Sequence, residues 1–452
     1  MSQWTNWAGT ASARPRRVHR PTDTAELSAI VAETAERGGR IRPLGSGHSF
    51  SPIAAADDDT DVIDLSAFTG IVSADAGNGL VTVRSGTTLR ELNTLLAALD
   101  LALTNLGDID AQTIAGAIST GTHGTGARFG GLATQVEALE LVTADGSVLT
   151  CSPTERPELF DAARVGLGAL GVISTVTLRC EPAFLLEAHE SPQPLDRVLT
   201  DFHALADGTD HFEFYWFPYG RNALVKRNTR LPVGTPARPL SPVRRFLDYT
   251  LMENAAFGGL CRLSRAVPRL APTLGALASS ALSTRRYSDA SYRVFTTQRL
   301  VRFVETEYAV PRESVLDVLA ELRALVPRLR HPVAFPVEVR VAAADDIWLS
   351  TAYGRDTAYV AVHQYVGMPY EEYFTEFARI AASVGGRPHW GKMHPLDADE
   401  LRHLYPRFDD FRRMRAALDP GGVFSNAHLD RILGKPSEQN DSAGLVGPTF
   451  RS

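Results

Sequence analysis

Four short stretches carry side chains whose types and spacing could do chemistry. In Glu338-Val-Arg340 a carboxylate and a guanidinium stand two residues apart, so in a strand both project from one face. The flanks, Val333-Ala-Phe335-Pro336 and Val341-Ala-Ala-Ala344, are apolar, which predicts partial burial rather than a solvated ion pair of little worth. His389-Trp-Gly-Lys392 presents a lysine in a chain where three of 46 basic residues are lysines, the others being Lys226 and Lys435. A desolvated lysine can serve as a base or as a fixed positive charge. The other two stretches are glycine-rich. In Pro43-Leu44-Gly45-Ser46-Gly47-His48-Ser49, two glycines let backbone N–H groups approach an anion. Ser46 and Ser49 add hydroxyl donors, and His48 would lie beside whatever is cradled. Gly116-Ala-Ile-Ser119-Thr120-Gly121-Thr122-His123-Gly124-Thr-Gly126 is a second surface of this kind. Two such loops close together predict a large phosphate-bearing cofactor.

Two other matches fail on context. Gly166-Leu-Gly-Ala-Leu-Gly171 fits G-x-G-x-x-G, but a helix-like run (159–164) precedes it and an alternating strand (172–178) follows. A dinucleotide fingerprint needs the reverse order, so a glycine-rich helix-to-strand turn is expected and a nicotinamide dehydrogenase remains a distant alternative. Gly386 to Lys392 has the length of a P-loop, but Met393 stands where a hydroxyl should hold magnesium. His389 and His394 lack carboxylate neighbours at metal spacing, so no metal site is expected.

The elements that must position these residues divide the chain. Asp23 and Glu26, at capping-box spacing, open an amphipathic helix. Strands are predicted at 40–44, 62–65, 80–84 and 172–178, and 136–150 turns back on itself at Asp145-Gly146. After Glu181-Pro182 the pattern changes. Long alternating strands are predicted at 211–217, 301–308, 337–341 and 358–365, and helices at 312–325, 370–382 and 398–418. An apolar helical stretch, 247–282, is expected to be cap-domain core, with a partner or membrane-surface contact as the alternative, and the polar tail after Gly434 to be disordered. Over 452 residues, 44% hydrophobic and 22% charged, the net charge of −6 argues against a broad nucleic-acid-binding surface. Three cysteines without C-x-x-C predict neither a disulfide framework nor a structural zinc, and fit a reducing, cytoplasmic setting. No secretory leader and no apolar run long enough for a transmembrane helix are recognisable.

In order and spacing, the loop Gly45–Phe50, Gly121–Gly126, Gly168–Ile173, Glu338-Val-Arg340 and His389–Lys392 together resemble the vanillyl-alcohol-oxidase-type flavoproteins. The similarity is greatest to their sugar-1,4-lactone oxidase and alditol oxidase branch and covers roughly residues 10–434. The resemblance implies an α+β, two-domain FAD-binding fold of the PCMH type with an antiparallel-sheet cap. Residues 10–183 would form the FAD-binding part, 184–395 the cap, 396–434 a returning segment, and 435–452 a tail. It further implies that FAD contacts Pro43 through Ser49, Gly107, Asp108, Thr113, Gly116, Ser119, Thr120, Gly121, Thr122, His123 and Ile173, with His48 bonded covalently to the flavin. Glu338, Arg340 and Lys392 would be catalytic, Lys392 being the proton acceptor if an arginine beside it lowers its pKa. Asp108, Glu305 and Tyr365 would meet the substrate. Glu305 and Tyr365 stand where the polyol-oxidising branch has Gln and Thr, which favours a lactone such as L-gulono- or D-arabinono-1,4-lactone over an open-chain polyol. Small Gly107 is compatible with oxygen as acceptor, though a dye or cytochrome is an alternative.

Overall fold

The computed structural model describes residues 3–436; the tail expected to be disordered lies, from 437 onward, outside the described residues. Three sheets organise it. A small parallel sheet contains β1 (Val18–His19), β2 (Ile41–Leu44) and β3 (Asp61–Asp64), ordered β1-β3-β2. An antiparallel sheet contains β4 (Ile71–Asp75), β5 (Leu80–Arg84), β6 (Val136–Val142), β7 (Val148–Cys151) and β8 (Val172–Arg179), ordered β7-β6-β8-β5-β4. The largest contains β9 (Leu185–Pro194), β10 (His211–Trp216), β11 (Asn222–Arg230), β12 (Arg285–Ala290), β13 (Phe303–Pro311), β14 (Val337–Ala342), β15 (Thr357–Tyr365) and β16 (Arg387–Pro388). Its order is β12-β9-β11-β10-β14-β15-β13-β16, antiparallel throughout.

The first helix, α1 (Thr24–Glu36), followed by α2 (Leu89–Ala97), α3 (Ile114–Ser119) and α4 (Pro157–Ala163), is capped by Asp23, whose side chain accepts from the Glu26 N–H at 2.8 Å. Glu26 reaches back to the Thr22 N–H (2.9 Å) rather than to Asp23, so the capping box is displaced by one residue. The β6–β7 hairpin turns at Gly146, whose φ of +81° only glycine adopts cheaply.

Strict alternation divides the large sheet into two faces. Phe212, Phe214, Val337, Val339, Val360, Val362 and Val310 point to one side and pack under α5 (Val315–Leu325) and α6 (Glu371–Ala382). Glu213 lies opposite Arg340, Tyr215 opposite Glu338, and Glu305 opposite His363; these residues share the other face, which looks toward the N-terminal loops. The Gly121–Gly126 loop is joined to that sheet: the Gly126 N–H donates to Val341 O (2.8 Å), and Thr125 Oγ1 accepts from the Val341 N–H (3.2 Å).

The chain then returns. The helix expected at 398–418 is two helices, α7 (Ala398–Leu404) and α8 (Phe408–Leu418), because Pro406 lacks the N–H that continuation requires. With α9 (Ala427–Leu433) they bury Leu401, Phe408, Phe411, Leu429 and Ile432 in the same core as β5, β6 and β8. Arg42, fully buried, donates to carbonyls of Gly168 (2.9 Å), Ile53 (2.8 Å) and Phe424. Asn426 caps α9, accepting from the Leu429 N–H at 2.8 Å, while its amide donates to Ala55 O at 2.8 Å.

The apolar stretch 247–282 is not core. It forms a π-helix (Phe246–Ala256) and α-helices (Phe257–Ala266, Ala271–Ser280) on the surface, with many large apolar side chains exposed. The hydrophobic count is high there, but no second layer covers it among the described residues.

Asn426 serves both a helix cap and a long-range tie, so Asn426→Ala is expected to lower stability by about 2–3 kcal/mol. The check is the midpoint of urea denaturation at unchanged slope.

Candidate functional site

Two continuous cavities are present: the first lies among the N-terminal loops, and the second lies between those loops and the polar face of the large sheet. The first runs along Leu44–Ser49, the N-terminal end of α3 (Ile114–Ser119) and the Gly166–Ile173 turn. Thr113 caps α3 by accepting from the Gly116 N–H (3.3 Å). A methyl on Gly45 would sit 2.6 Å from Thr113 Oγ1, and one on Gly116 2.9 Å from the same oxygen, so this wall requires glycine. The N–H groups of Ser46, Gly47 and His48 donate to no acceptor among the described residues. Three free donors on a loop with Gly47 at φ +69° and two hydroxyls nearby form a nest for an anionic diphosphate.

The second cavity, of about 400 Å³, shares His48, Ser49, Gln112 and Thr120 with the first, so one elongated ligand can occupy both. The His48 ring stacks against Trp7 at 6.0 Å. Burial, then the charge of Lys392, pushes His48 below the usual histidine range, leaving it neutral and nucleophilic at neutral pH. The His48 loop is tied to the lysine turn: the Phe50 N–H donates to Gly391 O (2.7 Å) and Ser51 Oγ to Trp390 O (3.1 Å). Trp390 is wholly buried, its indole donating to Leu349 O at 2.7 Å. Met393 and His389 N–H groups bond Glu305 and Glu307 carbonyls (both 3.0 Å), laying the turn along β13.

Lys392 Nζ stands 2.5 Å from Glu305 and 4.0 Å from Glu307, not beside an arginine. The premise for a lysine base, a cationic neighbour, is therefore absent. Burial would raise Glu305, but Lys392 and then His363 hold it below its usual range; His123 does the same for Glu307. The His123 ring bridges Gly124 O (2.9 Å) and Glu307 (3.1 Å). His389 accepts from the Gly391 N–H through Nδ1 at 3.0 Å, and burial pushes its pKa down to about 4. His363 donates from Nδ1 to Pro336 O (2.8 Å), which fixes Nε2 toward Glu305 (3.4 Å).

Arg340 is the centre of the far wall. Its Nε donates to Glu213 (2.8 Å), and its Nη2 reaches Asp108 and Glu338, the latter at 2.5 Å. Arg299 binds Asp108 as well and meets the Tyr215 hydroxyl at 3.0 Å. Lys226 completes the group, 3.2 Å from Glu213 and over the Tyr215 ring. Burial would raise Asp108, but Arg340 and Arg299 hold it well below the usual carboxylate range. Glu338 goes the other way: burial dominates and raises it despite Arg340, with Asp108 adding to the effect.

The structure thus gathers His48, Gly107, Asp108, Thr122, His123, Glu305, Glu338, Arg340 and Lys392 around one space. Pro43, Leu44, Thr113, Ser119 and Ile173 line the other. Two expectations miss. Tyr365 packs outside the cavity near Phe303 and Met393 with Arg265 over its ring; His363, two residues earlier on the same face, takes the inner place. Gly121 lines neither cavity and makes the turn at φ +78° instead. The Gly166–Gly171 turn has the expected helix-to-strand order, yet it walls the first cavity. Glu213, Tyr215, Glu307 and His363 were readable from strand alternation. Arg299 was not, because the loop 296–302 has no periodicity to place it.

Residues 176–432 match the family model described as D-arabinono-1,4-lactone oxidase, and residues 15–152 match that of the FAD binding domain. The chain belongs to the D-arabinono-1,4-lactone oxidase family. Its similarity to "L-gulono-1,4-lactone dehydrogenase" of Mycobacterium tuberculosis is 44% identity over 95% of this chain and 99% of the relative. The "L-gulonolactone oxidase" of Bos taurus is 35% identical, covering 95% of this chain and 97% of its own. The "Alditol oxidase" of a Streptomyces species is 34% identical, covering 95% and 98%. Among solved structures, cholesterol oxidase from Brevibacterium sterolicum superposes with a TM-score of 0.81 at 19% identity, covering 95% of this chain and 96% of that one; it shares the fold. Members of this family are FAD-dependent oxidoreductases, and the open nest of Ser46–His48 is a fitting seat for the FAD diphosphate.

Two buried histidines set an acid limit. His389 and His211, whose Nδ1 donates to Thr125 O at 2.7 Å, are both held down to about 4 by burial. Below pH 6.5 the unfolded chain takes up protons that the native rings refuse until about pH 4, so native stability falls across that window as pH drops. Each ring is expected to account for about 2–4 kcal/mol. Denaturation midpoints at pH 7 and pH 4.5 test this; a His211→Asn, His389→Asn chain should show a flatter dependence.

Proposed function

We propose that this chain oxidises the C2 hydroxyl of a sugar 1,4-lactone of the L-gulono- or D-arabinono-1,4-lactone type, giving an enediol lactone. The observation that carries the reading is Arg340 locked among Asp108, Glu213 and Glu338, facing Lys392 across a cavity continuous with the diphosphate nest. FAD, when bound, supplies the hydride acceptor. Ser46, Gly47 and His48 N–H groups would hold its diphosphate, and His48, a neutral imidazole at the junction of the cavities, would bond it covalently.

The chain's own residues do the rest. Glu338, whose charge burial disfavours, is a stronger base than an ordinary carboxylate and accepts the C2 hydroxyl proton. Arg340 and Lys392, each ion-paired with carboxylates, supply the positive charge that stabilises negative charge in the reaction. Hydride loss from C2 leaves a ketone beside the lactone carbonyl; loss of the C3 proton then gives the enediol, whose anion shares its charge with the lactone oxygen, which a second cation can hold. An open-chain polyol offers no such oxygen, so the two separated cations favour the lactone. Asp108 and Glu305 fix these cations and are within the same cavity as the substrate.

We take residues 10–183 and 396–434 as the FAD-binding part and 184–395 as the cap; the returning helices share a core with the N-terminal part, and Leu186, Phe295 and Trp348 of the cap pack into the same core. Oxygen, yielding hydrogen peroxide, or another acceptor would reoxidise the enzyme at the cavity that Gly107 lines. Three buried, unpaired cysteines suit a reducing cytoplasm, and the net charge of −6 offers nucleic acid little. No helix of the described residues is long and apolar enough to cross a membrane.

The deciding measurement is anaerobic flavin bleaching with L-gulono-1,4-lactone, D-arabinono-1,4-lactone, xylitol and sorbitol. Bleaching by lactones is expected; bleaching by the polyols alone would establish the alditol reading. Lys392→Met should cut the bleaching rate at least 100-fold while flavin content stays within twofold. A flavin-fluorescent band should persist on a denaturing gel and vanish in His48→Ala; flavin fully extracted by acid would refute the covalent bond.

A further inference from the structure

The surface segment 242–280 has a composition unlike the rest of the exterior. Of fourteen exposed large hydrophobic residues among those described, nine lie between 243 and 277. The π-helix concentrates them. Its i→i+5 winding brings residues five apart toward one side of the axis, so Phe246 and Leu251, and Leu247 and Met252, share a side, and all four are exposed. An α-helical winding would scatter the same four around the axis.

The exposed charges are one-sided. Arg244, Arg245, Arg262, Arg265 and Arg269 are exposed, against the single exposed acid Glu253, which Arg285 pairs. Arg244 is paired with buried Asp248 at 2.8 Å, and Arg265 lies over Tyr365. This basic apolar surface belongs to a chain of net charge −6.

We propose that this face seats the enzyme on an anionic lipid surface. Apolar side chains at the ends of short helices enter the headgroup boundary, and arginines beside them meet the phosphates. The charge pattern decides between occupants. A two-fold dimer through this face would set its arginines against their own copies, since an isologous interface pairs a patch with itself. Anionic headgroups complement it instead. The association is peripheral, since no described helix can cross a bilayer. The segment also touches the site. The Asn254 amide donates to Gln298 O (3.0 Å) and its oxygen accepts from the Leu300 N–H (2.7 Å), and both bonded residues line the second cavity. The lipid-facing surface therefore lies one hydrogen bond from the cavity wall.

The test is cosedimentation of the full-length, FAD-loaded enzyme with vesicles of phosphatidylcholine alone or mixed with phosphatidylglycerol. Binding should rise with phosphatidylglycerol and weaken with salt. Phe246→Ser/Leu251→Ser/Leu277→Ser and Arg245→Gln/Arg262→Gln/Arg269→Gln should each reduce binding at least tenfold, with flavin absorbance and turnover of soluble substrate unchanged. Absence of binding at any phosphatidylglycerol content, or binding by both variants as tight as the unsubstituted enzyme's, would overturn the proposal. So would a dimer in size-exclusion chromatography that the apolar variant converts to monomer.

Discussion

A buried positive charge is the constraint to which much of this molecule answers. Arg340 is drawn from water into a sheet face, where an unbalanced guanidinium would be prohibitive. Its compensation comes from three directions: Asp108 from an N-terminal loop, Glu213 from the neighbouring strand, and Glu338 from two residues before it. Those acids in turn require Arg299, Lys226 and the Tyr215 hydroxyl. Removing one member leaves an uncompensated charge on another, so the group is rigid as a unit. That rigidity keeps its donors aimed into the cavity without rearrangement.

The same economy explains the opposite wall. Lys392 faces Glu305 and Glu307, and His123, His363 and His389 take fixed orientations from backbone groups. Backbone hydrogen bonds from the lysine turn to β13 and to the His48 loop mean that cofactor loop, cation and carboxylates move together. The sheet makes both walls possible because its other face is apolar and covered by α5 and α6. One sheet thus provides a dry foundation and a charged working surface, separated by the thickness of a backbone.

Much of this was legible in the sequence where local rules govern. Strand alternation put Glu338 and Arg340 on one face, and glycine with hydroxyl spacing singled out two loops that line the cavities. The hairpin at Asp145-Gly146 followed from turn chemistry. What failed depended on packing. Tyr365 has the right parity for the inner face but lies at the strand end, beyond the cavity, where only the three-dimensional edge distinguishes it from His363. Lys392 has Glu305 and Glu307 as neighbours instead of the expected arginine, because both are more than eighty residues away in sequence. Residues 247–282 looked like core by hydrophobicity, but that property alone does not separate an inner layer from an exposed apolar face. The Pro406 break was visible in the sequence and was overridden by the apolar periodicity on either side.

The returning C-terminal segment has a consequence for the order of assembly. Ile41 N–H bonds Val423 O, Arg42 reaches Phe424 O, and Asn426 ties to residues 53 and 55. A ribosome completes the first two-fifths of the chain long before it makes these partners. The intervening sheet can fold as it emerges, but the strand and loop at 41–55 stay without this support until synthesis is nearly finished. A chain truncated by some thirty residues would lose the brace of its oldest part rather than merely its end.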